Sequence, residues 1–368
     1  MVRFDLANCG RTIPENLEYV RAAEAAGWRG FWITEINGID GVTSATSAAN
    51  LMQTGRTGSA ILPMQTRDPL LMAMTAASID QVAQGGFVLG LGTSTPIIIE
   101  DWHATPWGKP LSLTRQYVDL VRRFLAGERI TTDSGRWQYN RAQLATRPTR
   151  DIPIFLAALN DGMLRLAGEI ADGVVLNFVT PEDLKHAREM IALGAAKSGR
   201  SLDNFEVMVF LRSTVTSDYE LVRERYQREL FTYIMSPVYQ KMFDREGYGE
   251  DCARIETMWR NKKRDEALNA IPPSLIRDRT LIGEISDIQT RLQDYLDVGM
   301  DSALVFPVAI PSEDVVSDTI RNIQALGAVC GKTKQLNHKA SGFFSGLMWL
   351  SDRRQFVVIF FVMASPSQ

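Results

Sequence analysis

Histidine and cysteine are scarce in this chain, with three of each among 368 residues. Cys9, Cys252 and Cys330 are too few and too scattered for a disulfide framework or a zinc knuckle, and fit a reducing cytoplasm. Metal-dependent hydrolysis needs His and Asp ligands gathered at strand ends. The first apolar run instead ends in Asn8-Cys9-Gly10 and no His pair follows, so no metal site is expected. Cys9 has no evident histidine partner to activate it as a nucleophile.

An excess of positive charge is missing too. Lys and Arg number 40 against 43 Asp and Glu, a formal net charge of -3. That balance argues against the broad basic face that phosphate neutralisation requires, and so against a nucleic-acid partner. A small molecule is the expected ligand. No apolar run reaches the roughly 20 residues of a membrane-spanning helix. The run from Phe356 to Ala364 has nine, preceded by Asp352, Arg353 and Arg354. The opening MVRFDLANCG also lacks the long apolar core of a secretory signal. The expectation is a soluble cytoplasmic protein with no membrane partner.

What is present is apolar mass in short, regular instalments. Hydrophobic residues make up 45% and charged ones 23%, enough for a large core. Apolar runs predict strands at 2–6, 30–34, 57–61, 87–91, 154–158, 173–177, 205–215 and 303–307. Between them, helical spacing predicts a helix opening at Pro14 and ending at Gly27, then helices at 44–53, 69–84, 113–125, 162–170, 181–197, 285–296 and 315–326. Ser134-Gly135 marks a surface hairpin across 130–139, and the charge-rich stretch 218–273 reads as a helical insertion before the last helix and strand. Eight strands with interleaved helices favour an α/β fold closed as a (β/α)8 TIM barrel over 1–328. An open Rossmann sheet commonly has about six strands and starts with a Gly-rich turn. Residues 329–368 follow no such period and are expected to be a C-terminal extension, docked, disordered or adventitious.

The most informative stretch is TGSAILPMQTRDPLLMAMTAASIDQVAQGGFVLGLGTST, from Thr57 to Thr95. Small and hydroxyl-bearing residues where buried strands end let backbone N–H groups and hydroxyls approach a ligand, and parallel barrels place their sites at that end. A cofactor pocket is therefore expected there. Beyond it, His103 is a candidate proton carrier or a loop hydrogen-bonding group. Trp107 with Phe306 could wall a substrate site, though large aromatics are more often packing.

The segments RAAEAAGWRGFWITE (21–35), TRDPLLMAMTAASIDQVAQGGFVLGLGTSTP (66–96), WHATPWGKPLSLTRQYVDLVRRFLAGE (102–128), FLAALNDGMLRLAGEIADGVVLN (155–177) and LDVGMDSALVFP (296–307) together resemble the luciferase-like monooxygenase superfamily. Within it, they resemble the branch that uses the deazaflavin coenzyme F420. The resemblance implies a (β/α)8 barrel with an insertion, a flavin or deazaflavin at the C-terminal mouth of the strands, and frequent homodimers. It places Thr93, Ser94 and Thr95 beside the cofactor, where their hydroxyls could also be a plain strand exit. It places the cofactor phosphate near Leu159, Asn160, Asp161, Gly162 and Met163, where a helix N-terminus favours an anion and Asp161 opposes one. Ser59-Ala60 matches the position of a non-prolyl cis peptide behind the ring. Glu35 matches an acid near the ring, or else forms a structural salt bridge, while Ile36 stands where relatives carry histidine. The implied function is F420-dependent hydride transfer to or from a small organic substrate. An FMN-dependent monooxygenase is the alternative, and a flavin-binding protein without turnover a third reading.

Overall fold

The computed structural model describes residues 3–341. Eight parallel strands close on themselves: β1 (Arg3–Ala7), β2 (Gly30–Ile33), β3 (Arg56–Ser59), β4 (Phe87–Gly92), β5 (Ile154–Ala157), β6 (Gly173–Asn177), β7 (Glu206–Val215) and β8 (Ser302–Pro307). Closure is made by β1, which pairs with β2 through Asp5↔Gly30 and with β8 through Asp5↔Leu304. Both faces of these strands are covered, so they read as continuous apolar runs rather than alternating ones. Leu6, Ile33, Leu89 and Val209 pack outward against the helices, while Ala7, Trp32, Val88, Phe155, Val175, Met208, Phe210 and Leu304 fill the barrel interior.

The helices follow from local signals. Helix α1 (Ile13–Ala25) carries Pro14 in its first turn, α2 (Gly41–Leu51) is capped by Asp40, and α3 (Pro69–Val82) starts at a proline capped by Asp68. Helix α4 (Pro110–Leu125) precedes the hairpin, Asn160 caps α5 (Asp161–Ile170), and Thr180 and Asp183 form a capping box on α6 (Pro181–Ser198). The insertion is a run of five helices, α7 (Glu220–Ile234), α8 (Pro237–Arg245), α9 (Gly249–Arg260), α10 (Arg264–Asn269) and α11 (Pro273–Arg277). Helices α12 (Ile285–Asp297) and α13 (Val315–Ser341) flank β8.

Five details differ from the sequence pattern. A short strand, Thr280–Gly283, pairs in parallel with the C-terminal part of β7, and Leu62–Pro63 adds to β4. The hairpin pairs Arg129–Ile130 with Ala142–Gln143, wider than its apolar ends suggested. Ile97–Trp102 forms a π-helix in the segment after β4. Helix α13 runs on as backbone helix through residue 328 to Ser341. The remaining tail, with its apolar run, lies outside the described residues.

The N-terminal end of the barrel is sealed by charge. Arg56 donates through Nε to Asp5 Oδ2 at 2.9 Å, and through Nη1 and Nη2 to Glu206 at 2.7 and 2.6 Å. Trp32 Nε1 donates to Asp5 at 2.7 Å, and Ser302 Oγ to Glu206 at 2.6 Å. Asp5 is fully buried, and burial pushes its carboxyl up despite Arg56 and Trp32. This ionic layer ties together β1, β3, β7 and β8 at their N-terminal ends.

Candidate active site

On the β3–β4 side, the polar groups are largely spoken for by the chain itself. Ser59 is fully buried, and its hydroxyl donates to the Gly90 carbonyl at 2.8 Å and accepts from the Gly90 N–H at 2.9 Å. Glycine is required opposite, since a Cβ at Gly90 would lie 1.7 Å from the Ser59 carbonyl oxygen. Ala60 is half-buried and packs against the interior cluster, as does Phe306. The non-prolyl cis bond joins Ala60 to Ile61, one residue later than the Ser59-Ala60 position expected from the sequence.

Thr93 is fixed through its carbonyl, which accepts from Gln65 Nε2 at 2.9 Å and from Trp107 Nε1 at 2.8 Å. The hydroxyls of Thr93 and Ser94 make no hydrogen bond among the described residues, and Ser94 sits in the left-handed region at φ 54°. Thr95 Oγ1 accepts from Ile98 N at 3.4 Å and so opens the π-helix. His103 closes that helix and is exposed, with no side-chain hydrogen bond among the described residues. Trp107 is tied to Thr93, whereas Phe306 stacks on Phe210 at 6.2 Å. The structure does not bring the two rings into contact.

Glu35, at the end of β2, accepts from Arg67 Nη1 at 2.6 Å, Arg67 Nη2 at 3.1 Å and Gly41 N at 2.8 Å. Both of its oxygens are engaged. Next to it, Asn8 Oδ1 accepts from the N–H and hydroxyl of Thr34 at 2.8 and 3.0 Å. At the start of α5, Asn160 rather than Asp161 is the cap, its Oδ1 accepting from Met163 N at 3.0 Å. The Asp161 carboxylate turns to His186 at 2.8 Å and Arg245 at 3.6 Å. The His186 hydrogen bond holds its carboxyl below the ordinary value. Leu159 and Gly162 are half-buried beside it, and Met163 is buried.

Sequence reasoning overlooked the β6–β7 side. Arg212, on β7, is buried with its guanidinium 3.8 Å from the Phe178 ring, 4.6 Å from Phe210 and 5.3 Å from Tyr233. Its Nη1 donates to Asn177 Oδ1 at 2.6 Å and its Nη2 to the Tyr233 hydroxyl at 3.1 Å. Asn177 in turn donates to the Tyr239 hydroxyl at 2.7 Å. Two insertion helices thus lay their tyrosines over the ends of β6 and β7. The signal was available, since a cation within VMVFLRSTV shares the period-two face of Met208 and Phe210. A cleft of about 570 Å³ opens next to β1 and β8, lined by Cys9, Phe306, Arg225 and Glu229 among others. Burial pushes the Cys9 thiol and the Tyr239 phenol up, so both stay protonated near neutrality.

The sequence profile of the luciferase-like monooxygenase family matches residues 5–302. Over 320 residues the chain is 28% identical to a Mycobacterium tuberculosis protein assigned provisionally as a coenzyme F420-dependent oxidoreductase, covering 80% of this chain and 92% of that one. A 5,10-methylenetetrahydromethanopterin reductase of Archaeoglobus fulgidus is 30% identical over 235 residues, 64% of this chain and 70% of the relative. Among solved structures, the coenzyme F420-dependent tetrahydromethanopterin reductase of Methanopyrus kandleri has a TM-score of 0.76 at 22% identity, over 89% of this chain and 97% of that one. With its closed barrel and a profile match across nearly all of it, this chain belongs to the luciferase-like monooxygenase family and is an enzyme of the F420- or FMN-dependent type.

Proposed function

We propose that the enzyme uses coenzyme F420 to move a hydride to or from a small organic substrate at the C-terminal mouth of its barrel. The observation that carries this reading is the relative assigned to F420, matched over 92% of its own length. The residues at the mouth fit such a group. Ala60 offers an apolar floor for a planar ring, Phe210 and Phe306 an apolar wall on the substrate side, and the unengaged hydroxyls of Thr93 and Ser94 hydrogen bonds at its edge. At the start of α5, Arg245 offsets the charge of Asp161 and His186 hydrogen-bonds its carboxylate, which leaves the helix N-terminus favourable to a phosphate near Asn160 and Gly162.

A deazaflavin bound there supplies two-electron hydride chemistry. The chain's own part is to orient and exclude. Gln65 and Trp107 fix the Thr93 carbonyl and so the loop that carries its hydroxyl. Cys9 and Tyr239, both held protonated, add hydrogen-bonding groups without charge. His103, exposed beside the segment after β4, is the proposed carrier of a proton between solvent and the mouth. Glu35, locked by Arg67, acts through the shape of the β2 end rather than as a free acid.

Equilibrium titration of the purified protein with F420 and with FMN tests the reading. Saturable F420 binding, with little or no response to FMN, is expected. Tight FMN binding without F420 binding, joined to oxygen uptake with reduced FMN, replaces it with the monooxygenase reading. Binding without cofactor-dependent turnover of any substrate leaves a binding protein.

A further inference from the structure

We propose that Arg212 is the anchor for a carboxylate on the substrate, so that the enzyme takes acids with an apolar body. The inference rests on the reading of the strand ends as the reaction chamber. In the closed ring, β3 pairs with β2 and β4, and β7 pairs with β6 and β8, so the two strands stand opposite one another. Met208 and Phe210 point into the barrel, and period two puts Arg212 on the same face, nearer the mouth. A ring resting on Ala60 therefore has Arg212 across from it, on the side left for substrate.

The guanidinium is a buried charge with incomplete compensation. Asn177 and Tyr233 are neutral partners, and the nearest carboxylate, Glu229 Oε2, is 3.7 Å from Nε, beyond hydrogen-bond reach. Nε has no hydrogen-bond partner among the described residues. A buried cation is costly until an anion and its hydrogen bonds complete it. The missing acceptor belongs on the Nε edge, because Asn177, held by Tyr239, and Tyr233 already fix the other two nitrogens. Glu229 is 40% exposed and lines the cleft with Phe306 and Cys9, whereas Arg212 lies behind it, so an acid from that cleft reaches the Nε edge by displacing Glu229. Phe178, Phe210 and Tyr233 around the cation exclude water and suit an apolar body on the acid.

Calorimetric titration of the full chain with benzoate and with benzamide, which share a shape and differ in charge, tests the assignment. Benzoate is expected to bind about tenfold tighter than benzamide, and Arg212→Met to abolish that preference, with Arg212→Lys restoring only part of it. Glu229→Gln, which removes the competing carboxylate, is expected to tighten benzoate about threefold. Equal affinities in the native protein, or a preference that survives Arg212→Met, overturns the proposal. Should Arg212→Met fail to fold, Glu229→Gln decides, and unchanged or weaker benzoate binding overturns it. A parallel F420 titration separates the two readings. An Arg212-dependent benzoate preference without F420 binding ends the cofactor reading and leaves the anchor standing.

Discussion

Glu35 and His103 occupy opposite physical situations at the strand ends, and substitution separates them. Glu35 shares two hydrogen bonds with Arg67 and a third with Gly41, and its side chain is 13% exposed. Glu35→Gln leaves the Arg67 cation facing an amide, with Asp40 as its remaining partner at 3.1 Å. The expected cost is about 1–3 kcal/mol, read as a lower urea midpoint. His103 has no such partners, so His103→Asn is expected to change stability by less than about 0.5 kcal/mol. If it carries the proton, the same variant lowers turnover and alters the pH–rate profile; an unaltered profile ends that role. The sequence offered a salt bridge as one reading of Glu35 but could not name its partner. Residue type placed both near the mouth, but the partner that locks Glu35 lies on the loop before α3 and becomes a neighbour only through the barrel.

At the scale of elements, the insertion is docked onto the barrel by titratable groups. Glu246, just after α8, contacts the fully buried Arg279, while Arg245 approaches Asp183 of α6 at 3.8 Å. Burial and the neighbouring Asp183 push the Glu246 carboxyl up to about 7 from an ordinary 4.5. Between those values the native chain keeps a proton that the unfolded chain has released, so stability falls as pH rises through the window. Glu246→Gln is expected to flatten that decline, measured as urea midpoints at about pH 5 and pH 8; an equally steep decline in the variant excludes Glu246 as its source. Most of the elements themselves were readable, because strands buried on both faces appear as compact apolar runs separated by helical spacing. Thr280–Gly283 was not, since four residues ending in glycine carry too little pattern and gain strand form only by pairing with β7. Arg212 could be placed on the inner face, yet its meaning depends on Tyr233 and Tyr239, whose position over β6 and β7 is set by how the insertion folds.

For the whole molecule, an ion cluster that no apolar count reveals joins β1, β3 and β7 at the N-terminal end of the barrel. Arg56→Met leaves Asp5 fully buried with Trp32 as its remaining side-chain donor and strips Glu206 of its bidentate partner. The expected loss is about 3–5 kcal/mol of global stability, seen as a single cooperative transition at lower temperature. A variant that melts unchanged shows that the barrel closes without the cluster. The same sealed end also dictates traffic. If the strand ends proposed as the reaction chamber are its one door, the chamber is a cul-de-sac, in which the reactant lodged deeper has to arrive first and depart last. Turnover should then follow a compulsory order, with one product competing only against the first reactant to enter, and a random order in initial-rate and product-inhibition patterns would mean that a second way in exists.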